Sequence, residues 1–211
     1  MGRLYDAIDE SLRVWIERQP IYFVATAPSG ADGHVNLSPK GGIHTFRVLG
    51  PTTVAYVDFV GSGIETAAHL RDNGRIVLMF CAVDGAPKIV RLYGLGRVLN
   101  PGDAEFADLL VKFAPTDDVN LVVRGVVVVD VTRIADSCGF GVPLMDFVGE
   151  RDQLFRWAAQ RQAKDGDGWK QKYQRAKNAV SIDGLAGFDP GAEPTDGMAV
   201  RREVAAGTGA G

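Results

Sequence analysis

Residues 56–80 read Tyr56-Val57-Asp58-Phe59-Val60-Gly61-Ser62-Gly63-Ile64-Glu65-Thr66-Ala67-Ala68-His69-Leu70-Arg71-Asp72-Asn73-Gly74-Arg75-Ile76-Val77-Leu78-Met79-Phe80. An extended, β-branched and aromatic run passes through a Gly-Ser-Gly turn into a short amphipathic stretch, and a second apolar run follows. Ile64, Ala67, Ala68 and Arg71 fall on one face at helical spacing, and Asn73-Gly74 ends the pattern. The free N–H groups of such a turn, together with the helix dipole, attract an anion. Ser62 is also placed to cap the helix, a role compatible with anion binding.

Upstream, Ile21 to Ala27 and His34 to Ser38 flank the turn Pro28-Ser29-Gly30-Ala31-Asp32-Gly33, which predicts a β-hairpin with a loose turn. Thr52 to Phe59 is the third predicted strand. Before them, Leu4, Ile8, Leu12, Trp15 and Ile16 repeat at helical spacing, so a helix is expected from Arg3 to Arg18, stopped by Pro20. Downstream, Arg75 to Ala82 and Lys88 to Leu99 form the next two strands, with Gly94 and Gly96 marking a bend. Asn100-Pro101 opens a helix that buries Phe106, Leu109, Leu110 and Phe113. The run Asn120 to Ile134, apolar on both faces, is the sixth strand. Six strands with no regular βαβ alternation favour an antiparallel barrel, in which closure hides the sheet edges.

Within the hairpin, His34-Val35-Asn36-Leu37-Ser38-Pro39-Lys40 alternates polar and apolar residues, so Asn36, Ser38 and Lys40 share one face. An exposed edge strand shows the same alternation. A groove of amides, hydroxyls and one cation also suits a ligand that needs several donors and little covalent chemistry.

The remaining signals mostly exclude. Over 211 residues, 46% hydrophobic and 23% charged, the chain is sized and composed for one globular domain. Its net charge of −3 is scattered, which argues against a nucleic-acid partner. The longest apolar runs fall far short of the ~20 residues that cross a bilayer. With no signal peptide evident at Met1-Gly2-Arg3, a cytoplasmic protein is expected. Cys81 and Cys138 lie in unrelated settings, and His34, His44 and His69 have no ligand spacing, so neither a disulfide nor a metal site is expected. Asp58, Glu65 and Asp72 form no convincing acid/base pair, and no serine sits in a nucleophile elbow.

The two informative segments together resemble the pyridoxamine 5'-phosphate oxidase family of FMN-binding proteins, over roughly Pro20 to Ile134. The resemblance implies a mainly β fold with α additions: a six-stranded antiparallel Greek-key split β-barrel with flanking helices. It further implies FMN as cofactor, a homodimer with the flavin at the subunit interface, and oxidoreduction of a small molecule. On this resemblance Lys40 is the strand-end cation, Val57 and Asp58 supply the next contacts, Ser62 and Thr66 line the helix start, and Arg91 is preferred to Ile89 as the contact ahead of Gly94. Asn36 and Ser38 complete the cofactor-binding set, and no side chain is assigned a catalytic role.

One position departs from the family pattern. An Arg-Lys pair at the helix start is replaced by Glu65-Thr66, and an acid beside a phosphate is unfavourable. Three readings therefore stay open besides an enzyme: a non-enzymatic flavin module, and the same barrel binding a deazaflavin or haem. Residues 1–187 are expected to form a single domain, with a barrel core over about 20–134 and a C-terminal helical extension over 135–187. Residues 188–211, rich in Gly, Ala and Pro, are expected to be a flexible tail.

Overall fold

The computed structural model describes residues 2–42, 44–114 and 116–187, so the expectation for 188–211 lies outside the described residues. In chain order the elements are β1 (Leu4–Tyr5), α1 (Glu10–Glu17), β2 (Ile21–Thr26), β3 (Asn36–Gly41), β4 (Phe46–Gly50), β5 (Thr53–Phe59) and α2 (Glu65–Asp72). They continue with β6 (Arg75–Cys81), β7 (Ile89–Leu99), α3 (Phe106–Val111), α4 (Asp117–Val122), β8 (Val123–Ser137), α5 (Gln153–Asp165) and α6 (Trp169–Lys177). All pairings are antiparallel, in the order β3-β2-β6-β7-β8-β5-β4, with β1 added to β8. The sheet curls into a split half-barrel whose two edge strands are β3 and β4. No helix among the described residues is long and apolar enough to cross a membrane.

Alternation along the strands fills the inside. Tyr22 and Val24 of β2, Leu78 and Phe80 of β6, Val90 and Leu92 of β7, and Val54 and Tyr56 of β5 join Ile8, Leu12 and Ile16 in the main core. Tyr22 stacks on Phe80 at 5.3 Å and meets Phe46 and Tyr56 edge-on. On the other side of β5 and β8, Ala55, Val57, Val126 and Val128 pack against Leu99, Phe106 and Phe113. Both faces of β8 are thus covered there, which explains its unbroken apolar run.

Four local expectations need correction. Residues 4–5 form a strand instead of the first helical turn, because the Arg3 N–H and the Tyr5 hydroxyl both donate to the Asp136 carboxylate. Helix α1 starts later, capped by Asp9, whose carboxylate accepts from Leu12 N–H at 2.7 Å. The last strand starts at Val123 instead of Asn120, since residues 117–122 are helical and Thr116 caps a first turn carrying Asp117 and Asp118. The expected single helix over 150–176 is two, broken at Gly166, whose φ of 71° a helix cannot hold. The helix expected at Asn100-Pro101 begins only at Phe106, because the Asn100 side-chain oxygen accepts no hydrogen bond among the described residues and so caps nothing, leaving 101–105 in turns.

Helix α2 lies on the inner end of the sheet against β7 and β2. Its approach depends on Gly96, where a Cβ would come within 2.9 Å of the Leu70 side chain. Near the expected bend the register shifts between Tyr93 and Gly94 against β8, where Thr132 is the extra residue, while β7 keeps its register against β6 through Gly94.

Candidate functional site

Among the described residues strand β3 pairs only with β2, so its other edge borders the opening of the half-barrel. Its register places Lys40 opposite Tyr22, Ser38 opposite Val24 and Asn36 opposite Thr26. Directly opposed residues share a face. Asn36, Ser38 and Lys40 therefore point inward with the core tyrosine and valine, while Leu37 and Pro39 point out. Two contacts cross the split from this strand. Lys40 Nζ lies 3.1 Å from Asp58 Oδ1 near the end of β5, and Asn36 Nδ2 donates to Thr66 Oγ1 in the first turn of α2 at 3.0 Å.

The first crossing is ionic. Asp58 is buried, and its other oxygen, Oδ2, lies 2.7 Å from Arg124 Nη2 and 2.9 Å from Arg124 Nε. Arg124 can reach it because of a bulge: Asp58 pairs with Gly125 and Phe59 with Val123, which leaves Arg124 as the extra residue turned out of the ladder. The same guanidinium donates to the Gly63 carbonyl at 2.8 Å. Buried Asn178 donates to the Gly61 and Ser62 carbonyls at 2.9 and 3.1 Å. The Gly-Ser-Gly turn is thus pinned from beneath. Burial pushes the Asp58 carboxyl up, but Arg124 and Lys40 outweigh it and hold the group below the usual carboxylate range. Two cations share one carboxylate, so the cluster keeps one net positive charge.

The second crossing is neutral and branched. Asn36 Nδ2 also donates to Thr26 Oγ1 at 3.1 Å, and Ser38 Oγ donates to Asn36 Oδ1 at 2.9 Å. Thr26 Oγ1 lies 3.0 Å from Nδ1 of His69, which is fully buried on α2.

The remaining sequence-derived candidates fall elsewhere. Val57 turns its side chain into the cluster beneath α3, and its N–H donates to the Thr45 carbonyl at 2.8 Å. Ser62 is exposed and does not cap α2. The N-cap position is Ile64, whose N–H donates to Glu65 Oε2 at 2.9 Å. The carboxylate that distinguishes this chain at the helix start thus answers the helix's positive end itself. Arg91 pairs with Met79 and Ala135 in the same cross-strand row as Phe23 and Pro39, which is the outward face, and it donates to Ser137 Oγ at 3.1 Å. Within one chain it does not join the groove.

Sequence reasoning missed Arg124, Asn178, Thr26, His69 and Asp183. Arg124 carried a signal, a lone cation inside the apolar run Leu121 to Val129. Asn178 and Asp183 carried no signal of a role at this site, being brought in from the far end of the chain.

A family model described as pyridoxamine 5'-phosphate oxidase matches residues 8–138. The chain belongs to the pyridoxamine 5'-phosphate oxidase family. A relative from Aspergillus flavus, the pyridoxamine 5'-phosphate oxidase family protein ustO, is 38% identical over 201 residues, covering 89% of this chain and 78% of its own. Among solved structures, HupZ from Group A Streptococcus aligns with a TM-score of 0.47 at 23% identity, over 60% of this chain and 91% of that one. An FMN-binding protein from Syntrophomonas wolfei aligns with a TM-score of 0.44 at 17% identity, over 64% and 84% of the two chains. The matched region ends at Cys138. Asn178, which pins the turn, and Asp183, which accepts from His34 N–H at 2.9 Å, therefore belong to a part of this chain beyond the family model.

Proposed function

We propose that this family member binds FMN in the groove between β3 and the start of α2, and exchanges electrons between that flavin and a small molecule. The observation that carries the reading is the polar inner face of an edge strand, Asn36, Ser38 and Lys40, meeting Asp58 and Thr66 across the split at 3.1 and 3.0 Å. Bound FMN would supply the redox chemistry, because the groove's own side chains offer hydrogen bonds and charge without an evident nucleophile. The residues present fit that cofactor, with one adjustment. Glu65 already occupies the end of α2, so the cation for an anionic tail is Lys40, which is 24% exposed and draws on the cluster's single surplus charge. Asp58 and Arg124 hold Lys40 in place, while Asn36, Ser38 and Thr66 offer neutral polar contacts.

The outward face supports a homodimer with the flavin at its subunit interface. Val35, Leu37 and Leu95 are more than half exposed there, and Ala25, Val77 and Tyr93 line an open apolar depression of 580 Å³. A second copy on this face would cover that surface and would enlist Arg91, which cannot join the groove of its own chain.

Purified protein with a flavin absorption spectrum, releasing a chromophore of FMN mass, is the expected result. A deazaflavin or haem spectrum, or a colourless protein that quenches no FMN fluorescence, would reject the assignment. Oxidation or reduction of the bound flavin by candidate small molecules then separates an enzyme from a passive flavin carrier, and light scattering at an Ala25→Asp, Val77→Asp double variant tests the dimer.

A further inference from the structure

His69 is the one histidine buried without exposure, and its Nε2 has no hydrogen-bond partner among the described residues. That nitrogen faces Asp183 Oδ2 at 3.9 Å, while the other carboxylate oxygen lies 2.7 Å from His34 Nδ1 and Oδ2 accepts from His34 N–H at 2.9 Å. Asp183 is thus fixed to the loop ahead of β3. Residues 178–187 are tied in turn to α2 and its turn by Asn178 and by the Arg71 guanidinium on the Gly187 carbonyl.

Donor and acceptor rules propagate from this point. Burial pushes His69 below its usual range despite the opposing pull of Asp183, Glu65, a backbone hydrogen bond to Thr26 and Asp72, so the ring is neutral and carries one proton. A bare lone pair at Nε2 would face a carboxylate, whereas an Nε2–H would face its complement. Of the acceptors around the ring only the Asp183 carboxylate carries a charge, so the proton is assigned to Nε2, and Nδ1 then accepts from the Thr26 hydroxyl rather than donating toward Thr26. Having given its only proton to His69, Thr26 turns lone pairs toward Asn36, which must present its amide N–H groups to Thr26 and Thr66. The Asn36 carbonyl then takes the Ser38 hydroxyl proton. Reversing the amide would require the opposite ring tautomer.

We infer that His69 is a positioning residue: set by Asp183, it fixes the Asn36 amide so that Ser38 presents only lone pairs to the groove, which there accepts a ligand N–H or O–H group. Polarity at the β3 wall is thereby chosen some 145 residues away, by a segment beyond the family-model match. The flavin consequence rests on the reading given above, whereas the proton arrangement does not.

The test uses ring 15N spectra of the full-length chain without added flavin. The wild type is expected to show the Nε2–H tautomer at His69. Asn36→Asp, which replaces the donating amide by oxygens, is expected to reverse the Thr26 hydroxyl and move the ring to Nδ1–H or to the doubly protonated form. Adding Thr26→Val should abolish that shift, since the intermediary hydroxyl is gone. An Nδ1–H wild type, or an Asn36→Asp spectrum identical to it in protein of unchanged circular dichroism, overturns the inference. Ser38→Ala should then weaken FMN about two- to tenfold, the range of one neutral hydrogen bond, and unchanged FMN affinity would overturn the acceptor role. If the spectra behave as expected and FMN binds neither wild type nor variant, the flavin reading is what falls.

Discussion

The two bridges across the barrel split are built from opposite materials. Lys40 and Asp58 meet as ions over a buried guanidinium, while Asn36 and Thr66 meet as neutral groups in a chain of hydroxyls, an amide and an imidazole. A buried ion cluster tolerates the loss of a member poorly, because the survivor keeps its desolvation cost. A neutral network can reverse its hydrogen bonds only all together, so one member held from outside sets the direction of the rest. The ionic bridge is therefore suited to holding the barrel and its turn together, and the neutral one to setting what the groove presents to a ligand.

That division breaks first at Arg124. Arg124→Ala strips the buried Asp58 Oδ2 of both its guanidinium donors and frees the 61–63 turn, so about 3–5 kcal/mol of stability should be lost in urea denaturation. A loss no larger than that of a surface pair would show that the bridge is not structural. The acid limb of stability sharpens the same point. The folded-state pKa of Asp58 lies below its unfolded value, so its stabilisation is present above the ordinary aspartate range and fades as pH falls through the lower folded value. Thermal melts of wild type between pH 7 and 3 should fall more steeply than those of Asp58→Asn.

Lys40→Ala should separate stability from binding. The side chain is 24% exposed, so its removal should cost only about 1 kcal/mol of folding stability. It should nevertheless weaken FMN roughly tenfold or more, as expected for a charge-assisted contact. Equal FMN dissociation constants by fluorescence quenching would move the phosphate away from Lys40. The smallest effect belongs to the neutral bridge: Thr66→Val removes one of two acceptors of the Asn36 amide and should cost about 1 kcal/mol in denaturation.

Where the signal was periodic, the sequence was legible. The alternation Asn36, Ser38, Lys40 does form one strand face, and the turn-and-helix segment after Phe59 lies across from it. Strand β4 escaped because Phe46–Gly50 is five residues long and follows glycines that read as a loop. Ser62 looked like a cap since serine commonly is one, but Glu65 reaches back to the same end of the helix. Arg91 was chosen for its charge alone, and only cross-strand register shows that it points outward.

The sequence by itself determined the strand faces, the helix that follows the turn, and the kinship with an oxidase family, because period and local motif are written into neighbouring residues. Tertiary structure alone decided which charges meet. A bulge turned Arg124 toward Asp58, and the segment around Asn178 and Asp183 came back over α2 to fix the turn and His69. Those contacts join residues 66 to 117 positions apart, and no local pattern encodes a distance of that kind.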